Sequence, residues 1–194
     1  MWFASGYHES KLRNVNLLSI LIVASVVTHA ETISYWIAPG PDVQLAEWAL
    51  ATWQKASNGK LEFKAAPKDD ARIRVVWATA EEGMYGEARA TYVNGHRAID
   101  VYVRPAPLET ADSLLREAIT YLTCVHETGH ALGLPHTSNF ADIMYSFQYG
   151  GDIGEYFGRY RRKLHSRGDI RNNAGLSDDD RTQLARTLQR SQTP

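Results

Sequence analysis

Cysteine is almost missing from this chain of 194 residues: Cys124 stands alone, so no intramolecular disulfide can staple the fold. Stability therefore has to come from a packed core. A dominant charge sign is missing as well. With 21 basic and 22 acidic residues the formal net charge is −1, and no strong field favours nucleic acid or an anionic membrane as a partner. Internal repeats and low-complexity tracts are absent, which excludes solenoid and fibrous classes. The marked apolar run from Leu17 to Val27 is 11 residues long, against the about 20 that a permanent bilayer span needs.

What is present fits one soluble domain. The apolar share of 44% and charged share of 22% are ordinary for a globule, and the length allows a real core. Lys11 and Arg13 precede the apolar run and Ala30 ends a small-residue segment, the pattern of a cleavable export signal. A buried core helix and an uncleaved anchor are the alternatives for the same run. The expected organisation is a signal peptide over residues 1–30 and a single catalytic domain over 31–194.

The chemistry concentrates between His126 and His136, which read H-E-x-x-H-x-x-G-x-x-H. Two histidines four apart on a helix project from one face, one turn above the other, and can meet at a single metal ion. Glu127 leans toward the same site without taking the same ligand direction, where a general base for a metal-activated water is wanted. Gly133 can take a positive φ and end the helix, and Pro135 discourages re-entry, so His136 has a route back as a third ligand. Three protein ligands leave one position open, as in a catalytic zinc and unlike a closed structural one. Composition alone would generate H-E-x-x-H by accident in roughly 1% of such chains and the extended form in on the order of a few in 100,000, so the long form is the informative one. Cys124 lies two residues before His126 on another face of the helix and reads as a small core residue.

The remaining segments supply a frame. Ile33 to Ile37 reads as a strand, and Asp42 as the cap of a helix through Ala56 whose apolar stripe includes Leu45, Ala49 and Trp53. Leu61 to Phe63 and Arg72 to Trp77 read as strands. Ala88–Val93 and Ala98–Val103 read as a hairpin turning at Asn94-Gly95. Asp112 or its neighbours cap a helix through about Gly133. The stretch from about 148 to 175 reads as an extended Gly-rich loop, basic in its middle. Ser177 and Asp180 approximate a capping box for a last helix, with Leu184, Ala185 and Leu188 facing inward.

The run His126 to Tyr145, HETGHALGLPHTSNFADIMY, resembles the metzincin metalloproteases and, within them, the matrixin branch. A weaker similarity extends to Leu176–Asp180. The resemblance implies an α+β, zincin-like catalytic domain. That domain has a twisted, mostly parallel sheet with an antiparallel edge strand, a long active-site helix, a Met-turn and a C-terminal helix. It implies one catalytic Zn²⁺ on His126, His130 and His136, with Glu127 catalytic. Met144 would be the methionine beneath the site and not a ligand. The strand over 88–93 would line the cleft and pair with an extended substrate, or else be an ordinary internal strand. The segment after Met144 would wall a substrate pocket, or else be a solvated insertion. Relatives of this type often carry a structural zinc or calcium ions before the long helix. Here only His96 and Asp100 are at hand, so no such site is expected. Where some metzincins place a ligand tyrosine two residues beyond the methionine, this chain has Ser146, and matrixins usually have proline there. Tyr145 and Tyr149 remain candidates as oxyanion donors. The chain offers no cysteine for an inhibitory prosegment.

The expectation is thus a secreted or extracytoplasmic zinc endopeptidase acting on extended polypeptide, monomeric, with no nucleic-acid partner and no stable membrane insertion after signal cleavage. A zinc-containing binding or scaffold protein without proteolysis, and a peptidase dedicated to one partner protein, are the alternatives.

Overall fold

A computed structural model of the chain describes residues 30–79, 85–106 and 111–191. The segment read as a signal peptide lies outside these residues, apart from Ala30. The order is β1 (Glu31–Ile37), α1 (Val43–Ala56), β2 (Leu61–Ala65), β3 (Ile73–Trp77), β4 (Gly86–Val93) and β5 (His96–Val103). Then follow α2 (Ser113–Ala131), α3 (Ile153–Arg161), α4 (Arg167–Ile170) and α5 (Asp178–Ser191).

The architecture is α+β around a five-stranded mixed sheet of order β2-β1-β3-β5-β4. β1 pairs in parallel with β2 and β3, and β3 with β5; β4 alone runs antiparallel, against β5. Asn94 and Gly95 make the hairpin turn with φ of 50° and 80°, the double left-handed geometry that fits the twist of two paired strands. β4 therefore ends the sheet, with one row of backbone groups unpaired by any other strand.

Two helices cover one another and the sheet. α1 packs on β2, α2 on β5 and β4, and the two helices on each other. Trp53 of α1 is fully buried. Its Nε1 donates to the Val125 carbonyl at 2.9 Å and to Thr128 Oγ1 at 3.1 Å, so the largest core side chain also places α2. A second tie joins Thr52 Oγ1 and the Tyr121 hydroxyl at 2.8 Å. Cys124 is fully buried in this layer, as expected for a small core residue.

The segment 148–175 differs from its reading as an extended loop. It folds into α3 and α4, and Tyr156, Phe157 and Tyr160 of α3 are buried against the core. At the last helix, Leu184 and Leu188 are buried as expected, but Ala185 is exposed.

Candidate metal centre and cleft

α2 carries the first two histidines and is held at both ends by local chemistry. Asp112 accepts from the backbone N–H groups of Leu114 and Leu115, both at 3.0 Å. At the other end Gly133 adopts φ of 92°. Its N–H donates to the His130 carbonyl at 2.9 Å, and the Leu134 N–H to the Gly129 carbonyl at 3.0 Å, the paired bonds of a Schellman ending. That turn reverses the chain and delivers His136. A two-bond clamp closes the next loop: the Thr137 N–H donates to Met144 O at 2.8 Å, and the Ser146 N–H to Thr137 O at 3.1 Å.

The three rings converge. Nε2 of His136 lies 3.3 Å from Nε2 of His126 and 3.0 Å from Nε2 of His130. The far nitrogens of the two helical histidines are engaged: His126 Nδ1 meets the Ile143 carbonyl at 2.6 Å and His130 Nδ1 the Leu134 carbonyl at 2.9 Å. A carbonyl only accepts, so both Nδ1 atoms carry the hydrogen and both Nε2 atoms present lone pairs. His136 can donate one hydrogen to one of them at most. Two or three lone pairs facing one point repel unless a cation sits among them. Tetrahedral ligation at about 2.0–2.1 Å puts ligand nitrogens about 3.4 Å apart, close to these two spacings, and all three ligand nitrogens lie within 4.8 Å of one another. The donor set therefore fits one zinc ion. Burial lowers the proton affinity of all three rings, bringing His126 down to about 4, so they are neutral and able to ligate at neutral pH.

Glu127 is 6% exposed and borders a cavity of about 500 Å³ that it shares with His126, His136, Gly86, Phe147 and Phe157. Burial, reinforced by the charge of Glu87, raises its pKa to about 8 in the absence of a cation; a divalent ion nearby acts in the opposite direction. The start of the edge strand lies directly on this side chain. A Cβ at Gly86 would stand 2.6 Å from Glu127 Cγ and 2.8 Å from Thr123 Cγ2, so only glycine lets β4 come this close.

Met144 is fully buried and packs over α2: a Cβ at Gly129 would meet its Sδ at 2.5 Å and the Trp53 ring at 3.0 Å. The turn that carries it is anchored by groups that the sequence did not single out for this purpose. Asp180, fully buried, accepts from Ile143 N at 2.9 Å, Met144 N at 3.3 Å and Ser177 N at 2.8 Å. The Asp180 N–H in turn donates to Ser177 Oγ at 3.0 Å, so the expected capping box forms and its carboxylate also reaches across to the turn. The Tyr156 hydroxyl donates to the carbonyls of Asp142 and Ile143 at 2.9 and 3.2 Å. The Ile143 carbonyl thus accepts from His126 and Tyr156, and its N–H donates to Asp180.

Two tyrosines do not take the role considered for them. The Tyr145 hydroxyl donates to Gly150 O at 2.7 Å inside an aromatic cluster with Phe140, Phe147 and Tyr156, and is committed there. Tyr149 is 57% exposed and does not line the cavity beside Glu127. Of the two residues weighed for an accessory metal, His96 is exposed on the hairpin and Asp100 is forked on Arg74 at 2.6 and 2.9 Å.

No family model matches the chain, and no curated protein does. Among solved structures, the archaemetzincin of Methanopyrus kandleri is similar, at 13% identity over 86% of this chain and 99% of that one, with a TM-score of 0.46. A likeness that distant carries no inference about activity, which rests on the geometry above.

Proposed function

We propose that this protein is an exported, zinc-dependent endopeptidase of the metzincin type, on its matrixin side. The observation that carries the reading is the convergence of three imidazole Nε2 atoms, two with their tautomer set by backbone carbonyls, beside a buried glutamate that opens on a cleft. His126, His130 and His136 would hold the ion. When bound, zinc supplies a Lewis acid that polarises a carbonyl and makes water acidic at neutral pH. Glu127 takes the proton of the attacking water and passes it to the leaving amine. The Ile143 and Leu134 carbonyls keep two of the rings oriented, and Met144 fills the space behind them. An extended peptide lies along β4, whose free edge offers main-chain donors and acceptors. Export is supported by the charge and apolar pattern of residues 11–30.

A casein or peptide-library digest tests the reading with wild type, Glu127→Ala and chelator-treated protein. Cleavage by wild type alone, restored by zinc after chelation, is the expected result. Equal cleavage by the Glu127→Ala form refutes it. Zinc retention without cleavage by any form would leave a binding or scaffold protein as the better description. N-terminal sequencing of the secreted protein tests export, with a start near residue 31 expected.

A further inference from the structure

A second cavity, of about 740 Å³, lies between α1, α3 and the segment 171–177, behind the cleft. Leu122 and Tyr156 line both spaces and form the wall between them. Its charge is one-sided: Lys55, Arg159, Lys163, Arg171 and Arg181 line it, and no carboxylate does. This happens in a chain whose formal net charge is −1, so the positive sign is local and not a reflection of the whole.

None of these five cations forms an ion pair among the described residues. The acidic groups around them are engaged elsewhere. Glu155 feels the charge of Arg159 but is forked on Arg162. Asp169 accepts from His165 N and Ser166 N, and Asp180 from the turn at Ile143 and Met144. Arg159 is held in place over the rings of Phe140 and Tyr156 at 4.8 and 4.5 Å. Gathering five cations around one concavity with no carboxylate in its lining costs free energy, and an anion relieves that cost.

We propose that this cavity binds a small, multiply charged oxyanion of the organic-phosphate class. Arg159, Arg171 and Arg181 offer planar forks for bidentate phosphate contact, and Lys55 and Lys163 add point charges at the rim. Asn172, whose side chain has no partner among the described residues, adds a neutral donor. Trp48 and Tyr160 give an apolar wall for the organic part. The volume is that of a small-molecule site, which favours a compact ligand over an acidic polypeptide. The proposal stands apart from the peptidase reading.

Isothermal titration of the full chain with pyrophosphate at fixed ionic strength tests it, using wild type, the double variant Arg171→Gln/Arg181→Gln and the control Lys64→Gln on β2. Wild type and Lys64→Gln are expected to bind one equivalent alike, and the double variant at least about 100-fold more weakly, as the loss of two charge-assisted contacts predicts. Any capture of bound zinc by pyrophosphate is common to all three proteins, so the difference between them reports the cavity. The substituted arginines are exposed, and an unchanged melting temperature of the unliganded double variant shows that it folds. No binding by wild type, or equal binding by wild type and the double variant, overturns the proposal. An oligo-aspartate peptide that outcompetes pyrophosphate through the same arginines also overturns it, in favour of an acidic polypeptide.

Discussion

Removing the carboxylate of Asp180 is expected to perturb the proposed metal centre without touching any of its three proposed ligands. Asp180 sits on α5, fully buried, and accepts from Ile143 N, Met144 N and Ser177 N at 2.8–3.3 Å. In Asp180→Ala three backbone donors lose their acceptor. Leaving a buried donor unsatisfied costs about 1–3 kcal/mol. Water can reach the Ser177 end, which is half-buried, so the two donors of the turn set the scale at about 2–6 kcal/mol. In a domain of this size each kcal/mol lowers Tm by about 2–4 °C, so a fall of about 10 °C is expected. The second effect is local. The carbonyl of Ile143 accepts from His126 Nδ1 at 2.6 Å, and a slackened turn frees that ring to rotate. Groups that orient a ligand are worth about 10–100-fold in metal affinity, so zinc affinity is expected to fall by that factor. Thermal denaturation followed by circular dichroism reads the first effect, and competition for zinc against a chromophoric chelator reads the second. Asp180→Asn keeps one acceptor oxygen and should fall between. A variant with wild-type Tm and wild-type zinc affinity refutes the idea that α5 holds the turn. A lower Tm with unchanged zinc affinity refutes the link through Ile143.

Gly86→Ala drives a methyl group into Glu127 and Thr123; activity should fall at least about tenfold, the scale of a misplaced catalytic group, while zinc content by atomic absorption stays at one equivalent. Gly129→Ala places a Cβ 2.5 Å from Met144 Sδ with Trp53 behind it, and such overpacking costs about 1–3 kcal/mol, measurable as a lower urea midpoint; an unchanged midpoint would show that Met144 is free to move. Acid should destabilise the metal-free protein. His126 protonates near 6.5 when unfolded but only at about 4 in the fold because of burial, so the unfolded state holds the extra proton between those values. Stability is fully present above 6.5, and about 3 kcal/mol of it is lost as pH falls to about 4. Urea midpoints of the metal-free protein at pH 7 and pH 4.5, compared with those of His126→Gln, check the sign: the variant should show the shallower fall, and a flat wild-type profile contradicts it.

Local periodicity made much of this protein legible before any tertiary contact was known. The pairing of His126 with His130, the ending at Gly133, the left-handed turn at Asn94-Gly95 and the Ser177–Asp180 box each depend on residues within a few positions of one another, and the backbone geometry that each requires is near neighbours' business. Segment 148–175 hides its helices from its own sequence for a related reason. Gly154, Gly158 and Gly168 lower its helix propensity, and the stripe of Tyr156, Phe157 and Tyr160 becomes favourable only when α2 is there to receive it. What tertiary structure alone decided are the meetings across long separations. These are the start of β4 resting on Glu127, and Asp180 and Tyr156 holding the backbone of Ile143 at its nitrogen and its oxygen. A chain can advertise a helix through its own spacing, but which carbonyl a buried carboxylate or hydroxyl will find depends on how separate elements pack, and no local pattern encodes that.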